Sequence, residues 1–246
     1  MTDLVLGGLV RIDPETGAVV STIEVVHGAL DVDVAAGVVW VTAGGSNGGH
    51  LIRIDPETNR VVATIHVGRG SGAGSLGDVE ADGRAVWVTR GGDRNSLLRI
   101  DPDTNEIVAT IDVANSGYGN QLALEGGSLW VGTDPHVTVG DGTGASEVQV
   151  LRVDPVTNAL IGEPIEVGHG MFGLGAGGGS VWVHDGFGVG LTQIDVATGQ
   201  IVQRISIEDG GSSWGGDPGI DAADGVVWMA GTTSLNRIDL VPESTS

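Results

Sequence analysis

The side chains able to do acid–base or metal chemistry are six histidines set among 32 carboxylates, with no cysteine. Without a thiol there is no disulfide framework, no thiolate nucleophile and no cysteine zinc site. Imidazole and carboxylate remain adequate ligands for a divalent ion. His27, His169 and His184 are the candidates for a catalytic role, with Asp31, Asp78 and Asp185 as the candidate carboxylates for a cation such as Mg2+ or Ca2+. Asp31, Asp78 and Gln121 stand nine residues before a tryptophan, and Asp33, Glu80 and Asp221 stand seven before one. Such a recurrence predicts carboxylates at equivalent strand positions forming an acidic ring around a central channel, where they bind a cation, cap neighbouring backbone amides or face channel water. A separate set could hold an organic ligand: Trp214, Tyr118 and Phe187 offer a stacking platform for a sugar, peptide or aromatic group, with Arg69 and Arg90 as its cationic members. The glycine-rich stretch from Gly68 to Gly74 lacks the Gly-Lys-Ser/Thr end and following helix of a phosphate loop.

The elements that must position these residues recur. Leu9-Val10-Arg11-Ile12-Asp13-Pro14 returns as Leu51-Ile52-Arg53-Ile54-Asp55-Pro56, as Leu98-Arg99-Ile100-Asp101-Pro102 and as Leu151-Arg152-Val153-Asp154-Pro155. Weaker copies end at Asp195 and Asp239, and the period is about 41 to 53 residues. Between copies lies a tryptophan among aliphatic residues: Trp40, Trp87, Trp130, Trp182 and Trp228. Each period holds four short alternating or β-branched segments, read as strands A to D. Tight glycine turns such as Asp82-Gly83 and Gly126-Gly127 join A to B. Asp-Pro-x-Thr-Gly/Asn joins C to D, and its last position (Gly17, Asn59, Asn105, Asn158, Gly199) admits only residues tolerant of left-handed φ. Pro164 is expected on strand D, the outer edge, where a missing amide costs no ladder bond.

A four-stranded meander at this period predicts an all-β fold, a β-propeller of antiparallel blades with the tryptophans packing blade on blade. Six C strands predict six blades; part of a seven-bladed ring is the alternative. The first unit reads as B-C-D, with Leu4-Val5-Leu6 as its strand B, and the last, Gly219 to Leu240, as A-B-C, for about 22 strands in all. Residues 1–240 are expected to form one domain and residues 241–246 a frayed tail.

The Arg-Ile-Asp-Pro-x-Thr-Asn phrase, the following Ile-Val-Ala-Thr-Ile and the Val-Trp-Val strand resemble the YVTN-type repeats of bacterial β-propellers and the related virginiamycin B lyase-like propellers, over about residues 9–240. The resemblance implies the propeller fold; in the lyase, the aromatic strand leads into a Glu-x-His element that works with a metal ion. The positions after tryptophan-valine here are Thr42, Thr89, Gly132 and His184, and no Glu-x-His follows a tryptophan.

Loop lengths separate two faces. The A–B and C–D turns are nearly uniform, whereas D–A and B–C connections vary, among them Gly68 to Gly77, Ala114 to Asn120, Gly132 to Glu147 and Glu208 to Pro218. Variable loops on a rigid scaffold are where binding resides. His27 and His169 fall in D–A links, and His50, His136 and His184 around B–C links. His66 aligns with Glu24, Asp112 and Glu166 on strand D and is expected to face solvent. Eleven arginines, no lysine and a net charge of −21 exclude a surface built to bind nucleic acid. No apolar run reaches the roughly 18 residues of a membrane helix, and Met1-Thr2-Asp3 lacks the basic start of a signal peptide, so a soluble chain is expected, extracytoplasmic if it is a fragment of a secreted protein. Together these readings predict a non-catalytic module that holds a small molecule, peptide or protein on its variable-loop face. The alternative is a metal-dependent, lyase-like or hydrolytic enzyme.

Overall fold

The computed structural model describes residues 2–3, 8–25, 28–44, 48–68, 76–91, 96–113, 121–133, 147–169, 171–185, 190–207, 219–223, 225–230 and 235–240. These residues form antiparallel sheets in two compact units, Met1–Asn120 and Gln121–Ser246. In the first unit, β1 (Thr2–Asp3), β2 (Gly8–Ile12) and β3 (Val19–Glu24) make a three-stranded sheet. A four-stranded meander follows: β4 (Ala29–Ala35), β5 (Val38–Ala43), β6 (Gly49–Asp55) and β7 (Arg60–Gly68). The next meander is β8 (Val79–Ala81), β9 (Val86–Arg90), β10 (Ser96–Asp101) and β11 (Glu106–Asp112).

The second unit repeats the pattern. Its first sheet holds β12 (Gln121–Glu125), β13 (Ser128–Thr133), β14 (Glu147–Asp154), β15 (Ala159–Leu160) and β16 (Ile165–His169). Then come β17 (Met171–Gly177), β18 (Ser180–Asp185), β19 (Gly190–Asp195) and β20 (Ile201–Ser206), and lastly β21 (Ile220–Ala223), β22 (Val226–Ala230) and β23 (Leu235–Asp239). The chain is therefore all-β, a β-propeller built on four-stranded antiparallel blades. The last sheet is the A-B-C unit expected, whereas Leu4-Val5-Leu6 and residues 241–246 lie outside the described residues. Pro164 departs from expectation. It does not sit within an edge strand; the fourth sheet's outer strand is broken into β15 and β16, with Gly162 at φ 72° in the interruption. A residue without an amide, two positions after a left-handed glycine, stands in the break and the ladder resumes at Ile165.

The turns form as their residue types dictate. Ala36-Gly37, Gly126-Gly127 and Gly178-Gly179 have positive φ at both positions, the two-residue hairpin whose twist matches that of the flanking strands. Asn59, Asn105 and Asn158 sit at φ 54°, 59° and 61°. At the head of each C–D turn an aspartate folds back on the chain: Asp13 Oδ1 accepts from the Glu15 and Thr16 amides, Asp101 Oδ1 from Asp103 and Thr104, and Asp154 Oδ1 from Val156 and Thr157. These bonds hold the Asp13, Asp101 and Asp154 carboxyls below the usual carboxylate range.

Packing follows the tryptophans. Trp40, Trp87, Trp130 and Trp182 are fully buried. Trp40 joins a cluster with Val79, Val86, Val88 and Leu98 of the next sheet, Trp130 with Leu174, Val181 and Val183, and Trp182 with Ala222 and Val227. Trp228 belongs to the last sheet of its unit and is 40% exposed. Across strands, Arg53, Arg99, Arg152 and Arg237 stand opposite Trp40, Trp87, Trp130 and Trp228 and lie 5.2–5.8 Å from the ring centres.

Candidate functional site

The sheets have two unlike ends. One carries the A–B and C–D turns just described; the other carries the strand ends that enter the B–C and D–A connections. In the first unit that second end is framed by β4 to β11. Asp31, on β4, turns its carboxylate to the adjacent sheet, where Oδ2 accepts from the Val79 amide at 2.8 Å. Two residues on, Asp33 Oδ2 accepts from the Ala81 amide at 2.7 Å. Because side chains two apart share a face, these carboxylates extend β4 toward β8 like rungs of a ladder. The Thr42 hydroxyl accepts from the Asp31 amide and donates to the Gly77 carbonyl, adding a third link between the same sheets. Burial pushes the Asp31 carboxyl above its usual range; the Val79 and Val32 amides oppose that shift, and the Asp33 charge adds to it. In the second unit, Glu125 Oε1 accepts from the Gly179 amide in the same manner.

Asp31 and Asp33 therefore cap backbone amides of the adjacent sheet, one of the roles the strand-A spacing predicts. Asp78, just before β8, is half-buried, and its carbonyl accepts from the Thr89 amide. Gln121, at the same register, is buried. No group of three or more histidine, aspartate or glutamate side chains disposed around a metal position occurs among the described residues.

Arg90, at the end of β9, is engaged with protein atoms. Its Nε donates to the Ser96 hydroxyl at 3.1 Å and its Nη1 to the Val67 carbonyl at 3.3 Å, so it ties the third sheet to the second. In the second unit the Arg204 guanidinium donates to the matching carbonyl, that of Val167. His184 lies on β18 opposite Gly173 and Leu191 and is half-buried. Asp185 ends that strand, and His169 ends β16, which runs beside β18. His27, Arg69, Tyr118, Phe187 and Trp214 lie outside the described residues.

One arrangement escaped the reading by sequence. His50 and His66 stand directly opposite each other on β6 and β7, with ring centres 5.3 Å apart and planes at 80°. Their separation along the chain hid the pairing, and a strand bulge sets it. The only signal available was the repeat alignment, in which both positions are occupied by other residue types in every other copy.

No family model matches the chain, and no curated protein matches it. Solved structures do. A protein of unknown function from Desulfotomaculum acetoxidans DSM 771 matches with a TM-score of 0.71 at 14% identity, over 96% of this chain and 73% of that one. BamB from Moraxella catarrhalis, a β-propeller, matches with a TM-score of 0.58 at 16% identity, over 91% of this chain and 64% of its own. Kuenenia stuttgartiensis hydrazine synthase matches with a TM-score of 0.54 at 11% identity, over 95% and 89%. At such identities the likeness is one of fold.

Proposed function

We propose that this chain is a binding module of the YVTN-repeat propeller type, which holds a small molecule, peptide or protein at the end where the B–C and D–A connections leave the sheets. The observation carrying this reading is the contrast between the two ends. At the turn end the aspartates at the heads of the C–D turns cap their own backbone, and the geometry repeats from copy to copy. At the other end the connections differ in length and composition, and Trp214, Tyr118, Phe187 and Arg69 belong to them. A scaffold that keeps one end uniform and varies the other concentrates its specificity in the varied end.

An alternative rests on a separate observation. β16, which ends at His169, and β18, which carries His184 and ends at Asp185, are in contact in the second unit. That histidine and carboxylate content suits a metal-dependent lyase-like or hydrolytic centre.

One experiment separates the readings. The labelled chain is applied to glycan and peptide arrays with and without Mg2+ and Ca2+, and each hit is retested by titration. The binding module predicts a hit whose affinity falls at least tenfold in a Trp214→Ala, Tyr118→Ala, Phe187→Ala variant and is unchanged in a Glu57→Ala, Asp103→Ala variant at the turn end. Hits lost with the turn variant, or indifferent to the loop variant, overturn it. A hit that requires the ion and His184, and is turned over, establishes the alternative.

A further inference from the structure

At one cross-strand pair the second sheet carries two imidazoles, and the four other sheets in which that pair is described carry none. In this cross-strand pair position the first sheet has Gly8 and Glu24, the third Ser96 and Asp112, the fourth Gln149 and Glu166, and the fifth Gly190 and Ser206. The fold accepts small, polar or acidic residues there, so it does not require the His50–His66 pair for packing.

The pairing depends on a bulge. Gly49 opposes Gly68 and His50 opposes His66, so Val67 is the extra residue on β7. An uninterrupted register would set Val67 against His50. A bulge of this kind re-aims the side chains that flank it. It is anchored on both sides: the Val67 side chain is fully buried in the core, and its carbonyl accepts from Arg90 Nη1. His66 is exposed and turns its Nε2 toward the start of β6, within 3.0 Å of the place a Cβ on Gly48 would occupy.

The separation of the rings fits a shared ion. With a metal–nitrogen bond of about 2.0–2.1 Å and about 1.1 Å from that nitrogen to its ring centre, each ring centre stands about 3.2 Å from the metal. A tetrahedral angle then separates the two centres by about 5.2 Å. The observed separation of 5.3 Å matches this. We propose that His50 and His66 form a two-imidazole chelate for a borderline divalent transition metal, Cu2+, Ni2+ or Zn2+, with water completing its coordination. An ion held there pins β7 to β6 at the end of the sheet from which the B–C and D–A connections depart. Two imidazole nitrogens as the protein's only ligands favour these ions over Mg2+ and Ca2+, which are held by oxygen ligands.

The test uses the full chain, titrated separately with Cu2+, Ni2+, Zn2+ and Mg2+. Affinity is read by calorimetry, thermal stability by circular dichroism, and the equimolar Cu2+ complex by electron paramagnetic resonance. The chelate predicts nitrogen hyperfine structure from two imidazoles, an affinity order with Cu2+ first, a rise in Tm with excess Ni2+ or Zn2+ and none with Mg2+. His66→Gln, at an exposed position, should keep the apo circular dichroism spectrum, lower the affinity at least tenfold and abolish the Tm shift; His50→Gln should do the same. Equal binding by the wild type and both variants, a single coordinated imidazole, or no binding overturns the chelate. Loss of this site would leave the loop-end binding reading intact, since neither histidine belongs to the residues varied in its test.

Discussion

Asp31 shows how a single residue's role follows from what its carboxylate faces. Its Oδ2 satisfies the Val79 amide, and removing that acceptor leaves a donor stranded in the joint between two sheets. Asp31→Ala should therefore destabilise the fold by about 1–3 kcal/mol. Asp31→Asn keeps an oxygen for the same amide without the charge that burial and Asp33 oppose. The sign follows from the raised pKa. A carboxyl whose folded pKa exceeds its unfolded value costs stability when ionised, and that cost disappears as pH falls through the folded pKa. Asp31→Asn should thus equal or exceed the wild type at pH 7 and lose the advantage on acidification, read as denaturant midpoints at pH 7 and pH 4. The nine-residue spacing to tryptophan located this carboxylate in the sequence. Its partner lies 48 residues away on another sheet, so spacing alone could not choose between a cation and an amide.

At the scale of the element, strand type, turn type and the buried tryptophans were legible because each depends on local chemistry: alternation, φ tolerance and side-chain size. The approach of one strand to another was not. Gly175 and Gly177 on β17 let β21 come so close that a Cβ on Gly177 would lie 1.6 Å from the Ala222 carbonyl oxygen and one on Gly175 2.3 Å from that of Ile220. In sequence these glycines read as more of the same glycine-rich composition. Gly177→Ala should cost about 3 kcal/mol, a fall in Tm of roughly 6–12 °C. The neighbouring Gly178→Ala meets nothing within 4 Å and only strains a residue at φ 64°, so it should cost about 1–2 kcal/mol. Thermal melts of the two variants side by side check the distinction: similar losses would mean that conformation, not the close approach of β21, is what these glycines provide. Arg53 makes the same point with a polar group, since its Nη1 reaches the Pro102 carbonyl, 49 residues on, at 2.8 Å.

Over the whole molecule the dominant quantity is charge. A net charge of −21 with eleven cationic side chains makes the compact chain repel itself. Many carboxylates are held by amides, and ion pairs are few: among the described residues Arg84 pairs with Asp82 and Arg237 with Asp239. Raising the salt from about 0.01 M to 0.3 M shortens the screening length from about 30 Å to under 10 Å. Tm should therefore rise by a few degrees over that range, as scanning calorimetry would record. A fall would mean that exposed ion pairs contribute more than self-repulsion.

What the sequence determined by itself is the repeat and everything each repeat can decide within its own length: the four strands of a full repeat, left-handed positions at Asn59, Asn105 and Asn158, and the tryptophans buried at positions 40, 87, 130 and 182. What tertiary structure decided is which distant groups meet: Asp31 with the Val79 amide, Arg90 with the Val67 carbonyl, β17 with β21, and His50 with His66 across a bulge. The reason is physical. Strand and turn preferences arise from a residue's own dihedrals and nearest neighbours, whereas these meetings depend on the register and approach of packed sheets, where one extra residue such as Val67 changes which side chains stand face to face.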